Sequence, residues 1–157
     1  MPKSKSRGKR YSPGRWLRRT VAAHEARIEA APLTDDQQRD LGLAYWLSFQ
    51  AMLNAPCEEV WHSVAASLNV AMILCERGFG EEYIDDIKAA QIALMRTYKR
   101  GNDGKSWALD ADGIAAIRKA LELHDAQVEI AERREIRLAI NAIYERVNNG
   151  DVLEVVA

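Results

Sequence analysis

One segment constrains everything packed around it. Wound as a helix, Cys57 to Arg77 places Val60, Val64, Leu68, Met72 and Cys75 on one face, while Val70, Ile73 and Leu74 occupy others. A helix that is apolar nearly all round cannot lie on a surface, so other elements must wrap it. At 157 residues the chain suits one domain, and chains of that size bury ~68–70% of their unfolded surface, enough to enclose such a helix. Val, Leu, Ile and Ala are too plentiful for a wholly disordered chain. No uninterrupted apolar run approaches the ~18 residues of a membrane span.

The flanking segments read as further helices. The spacing predicts a first helix over 15–31, closed by Pro32. Thr34 followed by Gln37 has the pattern of a capping box opening a second helix, which runs to about Asn54. Leu41, Ala44, Tyr45, Ser48 and Met52, with Leu47 and Leu53, set its apolar stripe, and Trp46 and Phe49 widen it. Pro56 suits the first turn of the central helix. Gly78 and Gly80 end that helix. A fourth spans 81–100 with Tyr83, Ile84, Ile87, Leu94 and Tyr98 inward, acids at its start and Arg96, Lys99 and Arg100 at its end, the order a helix dipole favours. After the 101–104 turn, Trp107 is expected to pin the next loop onto the bundle. Ile114, Ile117, Leu121, His124 and Val128, then Ile136, Ile140, Ile143 and Val147, continue a helical pattern to Asn148. The stripe drifts between Ile130 and Ile136, which leaves one long helix or two open. Asn149–Gly150 caps the end, and 151–157 is a short apolar tail, either an edge strand or a docked strap. The expected fold is therefore all-α: about five helices in a single domain over 15–157, with a flexible basic arm at 1–14.

Charge is distributed unevenly. The formal net charge is −1, yet residues 1–19 hold Lys3, Lys5, Arg7, Lys9, Arg10, Arg15, Arg18 and Arg19 and no acid. The remaining residues carry 14 basic against 23 acidic side chains, a net of −9. An acidic body with a basic arm points to a nucleic acid or another polyanion as partner. Tyr11 and Trp16 sit among the cations, where a flat ring can stack on a base. Ser4, Ser6, Gly8, Ser12, Pro13 and Gly14 favour an extended arm, which positions on phosphates without reading bases. Three other readings compete: a solubilising tail, docking onto the chain's own acidic body, and a transit peptide, whose Arg-rich, acid-free composition the arm shares. A secretory signal is not expected, because Thr20–Glu25 supplies no apolar core. Two unclustered cysteines, Cys57 and Cys75, suit a reduced, cytoplasmic protein.

Chemical motifs are weak. Glu59–Val60–Trp61–His62 is one Glu-x-x-His step, whereas a di-iron bundle needs two plus further inward carboxylates. His24–Glu25 lacks a second His four residues on, and Gly104–Lys105–Ser106 lacks both the first glycine and the preceding strand of a phosphate loop. Glu81, Glu82, Asp85 and Asp86 read as a solvated first turn, and Cys75 as a small buried hydrophobe. His62, Ser63, Ser67 and Asn69 read as a polar rim or network. Three scattered histidines assemble no nucleophile, base and orienter. No metal, cofactor or enzymatic activity is expected.

The stretches Arg7–Arg15, Glu59–Ser63 and Ala71–Gly78 resemble a group of small accessory proteins of bacterial phages, plasmids and integrated elements, whose motifs carry no assigned chemistry. The resemblance implies a genomic setting and no catalytic residue. The leading expectation is a non-enzymatic accessory or regulatory protein contacting nucleic acid, or a nucleoprotein complex, through its arm. The alternative is a protein-interaction module, such as a phage factor that occupies a basic surface of a host defence complex with its acidic body.

Overall fold

The computed structural model describes residues 13–150, and the side chains of residues 18–150. Six helices account for them: α1 (Pro13–Glu29), α2 (Asp35–Asn54), α3 (Glu58–Glu76), α4 (Ile84–Asn102), α5 (Ala111–Ile130) and α6 (Arg133–Asn148), with one 3₁₀ turn at Glu81–Tyr83. The fold is all-helical, and no helix among the described residues is long and apolar enough to cross a membrane.

α3 holds the centre. It packs against α2, α4, α5 and α6, and Val64, Leu68, Ala71 and Leu74 are wholly buried, as its all-round apolarity requires. The main core joins Tyr45, Phe49 and Met52 of α2, Ile87 and Leu94 of α4, and Ile117 and Leu121 of α5 around it. A second, smaller cluster sets Ile73 and Leu74 against Ala131, Ile136 and Ala139.

Local signals set most boundaries. Thr34 closes a full capping box: the Gln37 amide donates to its Oγ1 at 3.4 Å, and its own amide donates to Gln37 Oε1 at 3.1 Å. Gly78 and Gly80 turn the chain from α3 to α4 at φ +93° and +76°, a region that side-chain-bearing residues avoid. Asp110 caps α5 by accepting from the Gly113 amide at 2.7 Å. Trp107 does pin its loop. It packs on the main core and lies so close to Gly101 that a Cβ there would sit 2.3 Å from the indole.

Several expectations need correction. α1 begins at Pro13 rather than Arg15, because the fixed φ of proline and its missing N–H both suit a first helical turn; residues 13 and 14 therefore belong to the helix. Pro56 precedes the N-cap Cys57 instead of lying inside α3. The fourth helix starts only at Ile84, so Tyr83 falls in the preceding turn and is 43% exposed. Leu47 of the proposed α2 stripe points outward, as do Ile140 and Val147 of α6. The choice left open after Asp110 falls to two helices, which makes six among the described residues where about five were expected. Ala131 and Glu132 adopt extended ψ angles of 138° and 152°, and the Arg133 amide freed by the break donates to Ala31 O at 3.0 Å. That kink turns Ile136 and Ala139 back onto α3.

Candidate nucleic-acid interface

α1 is the only described part of the basic segment, and it stands off the bundle. Every residue from Arg18 to Ile28 is exposed. The body meets the helix at its C-terminal end: Arg137 of α6 binds Glu29 at 2.8 Å, Ala31 O receives the Arg133 amide, and Pro32 bridges Glu132. Arg18, Arg19 and Arg27 enter no ion pair among the described residues. Arg19, Thr20, Ala23, His24 and Arg27 line a shallow depression along one side. At 3.6 residues per turn, Arg27 lies ~160° round the axis from Glu29, so this side faces away from the contact with α6.

Of the residues singled out from the sequence, Arg15 and Trp16 fall within α1, and Arg18 and Arg19 are exposed on it. Lys3, Lys5, Arg7, Lys9, Arg10 and Tyr11 lie outside the described residues, as does the apolar tail 151–157. Arg27 extends the cationic row beyond Arg19, with His24 beside it. The dense basic run ends at Arg19, and Arg27 recurs eight residues later on nearly the same face.

Some carboxylates of the acidic body are paired with its own cations. Arg77 binds Glu135 at 2.6 Å, Lys119 binds Asp86 at 2.8 Å, and Arg146 binds Glu76. The Glu-x-x-His step resolves into a helix start: His62 is exposed and lies 3.7 Å from Glu58. Among the described residues, no group of three or more His, Cys, Asp or Glu side chains is placed to hold a metal ion.

The structure also contains a polar junction that sequence reading missed. Gln127 of α5 is buried and its Nε2 donates to Ala71 O at 3.0 Å, Phe79 O at 2.8 Å and Cys75 Sγ at 3.1 Å. Those acceptors fix the amide orientation, so Oε1 must accept from His124 Nδ1, 3.1 Å away. His124 therefore carries a proton on Nδ1. Burial lowers its pKa below the ordinary 6.5, against a smaller opposing effect from Gln127. The imidazole lies 5.0 Å from the Tyr45 ring. Tyr45 donates to Asp125, which also accepts from Trp46 Nε1 at 3.0 Å. Burial, reinforced by that bond, pushes the Tyr45 phenol up, and burial likewise pushes up the Cys75 thiol. The one signal in sequence was a Gln three residues after a His on an apolar stripe. This junction ties α2, α3 and α5 together.

Comparisons with protein-family models, curated proteins and solved structures find no match to this chain.

Proposed function

We propose that the protein is a non-enzymatic accessory factor, acting in the cytoplasm, that contacts nucleic acid or a nucleoprotein complex through its basic N-terminal residues. One observation carries the reading: α1 holds Arg18, Arg19 and Arg27 in solvent, away from an acidic body that would otherwise neutralise them. A tail docked on its own body would bury these side chains or pair them with carboxylates. Their placement therefore favours an external polyanion over self-docking. The sequence resemblance to accessory proteins of mobile elements supplies the setting.

A labelled DNA duplex titrated with the full chain tests this. Neutralising ~4–6 phosphates releases counterions, so log affinity should fall against log salt with a slope of ~−4 to −5. Charge reversal of Arg18, Arg19 and Arg27 together should weaken binding and flatten the slope by ~1 per lost phosphate contact. Absence of binding at low salt, or binding indifferent to salt, removes the proposal.

The second reading, a protein-interaction module, draws on a different surface. Ile140, Tyr144 and Val147 form an i, i+4, i+7 stripe on α6 and are 40%, 66% and 57% exposed. Leu43 and Leu47 make a similar exposed pair on α2, in line with Asp36 and Asp40. A partner helix with apolar and basic side chains fits the α2 face. This reading leads if deleting residues 1–19 leaves the biological activity intact.

A further inference from the structure

We infer that α1 is a groove-entering helix and that B-form duplex DNA is the nucleic acid it takes, an inference that rests on the proposed function above. The first ground is exposure on every side. A helix lying on a bundle offers a partner one face. α1 is exposed at each consecutive residue from Arg18 to Ile28, so a groove can close around it. With side chains an α-helix is ~10–12 Å across, which matches a B-DNA major groove ~12 Å wide and ~8.5 Å deep. A-form RNA presents a deep, narrow major groove that such a helix cannot enter.

The second ground is the angular placement of the cations. Nine residues apart, Arg18 and Arg27 lie ~180° from each other around the axis. Cations on a single face suit a flat array of phosphates. Cations on opposite flanks suit a groove, whose two walls are separate phosphate strands. Between the flanks, on the side nearer Arg19, come Ala22, Ala23 and Ala26, all exposed. Their small side chains let the backbone approach the groove floor, where Arg19 can reach a guanine edge and an alanine can meet a thymine methyl. Glu25 and Glu29 sit on the Arg18 flank two or more turns nearer the body, and Glu29 is paired with Arg137. The stretch from Arg18 to Ala23 is thus the part that enters.

The full chain should be titrated, at one salt concentration, with a short DNA duplex, one of its strands, and an RNA duplex of the same sequence. The duplex DNA should bind at least ~10-fold tighter than either of the others, as groove geometry requires. Methyl green, which occupies the major groove, should compete, and netropsin, which occupies the minor groove, should not. Ala23→Leu, which adds bulk without a stacking ring, should weaken binding to duplex DNA more than binding to the single strand; its exposed position keeps the fold intact, which the helical circular dichroism verifies. Equal affinity for all three nucleic acids, or competition by netropsin alone, overturns the groove assignment while the polyanion reading stands. Absence of binding to any of them removes both.

Discussion

Replacing Gln127 by leucine would take four hydrogen bonds out of the core while scarcely changing side-chain volume. What remains behind sets the cost. The Ala71 carbonyl, in mid-helix, keeps its intrahelical partner. His124 Nδ1–H, on a residue only 2% exposed, and the partly buried Phe79 carbonyl would each lose an acceptor or donor. An orphaned buried polar group costs ~1–3 kcal/mol, so Gln127→Leu should lose ~2–4 kcal/mol of stability. His124→Leu alone would orphan Gln127 Oε1 and cost a similar single increment. Removing both partners leaves neither the imidazole donor nor the amide acceptor unpaired. The double variant should therefore be at least ~1 kcal/mol more stable than the two single losses summed. Urea unfolding of all four proteins, fitted with a common dependence on denaturant, measures this coupling. Losses that add within ~0.3–0.5 kcal/mol would refute the hydrogen-bonded junction, because independent sites behave that way.

Three further outcomes follow from the core. His124 has its folded pKa below the unfolded 6.5, so the unfolded chain binds the proton first; stability should decline as pH falls below that value, and the decline should shrink in His124→Leu, as equilibrium unfolding across the acid range will read. Leu68, wholly buried in α3, should cost ~2–5 kcal/mol when cut to alanine, and a loss under half a unit would move α3 to the surface. Gly101→Ala would force the Trp107 indole off α4, costing ~1–3 kcal/mol with a shift in tryptophan emission; a melt and spectrum identical to the parent protein would contradict the packed ring.

Much of the architecture was legible because it depends on neighbours within four residues. The Thr34 capping box and the Gly78–Gly80 turn need only local hydrogen bonding and backbone freedom. The centrality of α3 was legible for a different reason: a helix without a polar face has nowhere else to go. The imbalance between a basic segment and an acidic body is likewise a property of composition alone.

Choices between faces were not legible, because they depend on where a partner stands. Phe49 and Leu47 are both apolar and two residues apart on α2, yet Phe49 meets the core and Leu47 is 63% exposed. The drift of the stripe between Ile130 and Ile136 marked where a break could fall, but the contact of the Ala131–Glu132 kink with Ala31 and Pro32, 100 residues back, has no local signal. Asp125 looks like an ordinary surface acid until Tyr45 and Trp46, about 80 residues away, converge on it. For the candidate interface the division is the same. Composition alone placed positive charge at the N-terminal end of the chain. Only the tertiary structure decided that Arg18, Arg19 and Arg27 remain in solvent, because the other helices bury their apolar faces in one another and every residue of α1 from Arg18 to Ile28 stays exposed while Glu29 meets α6.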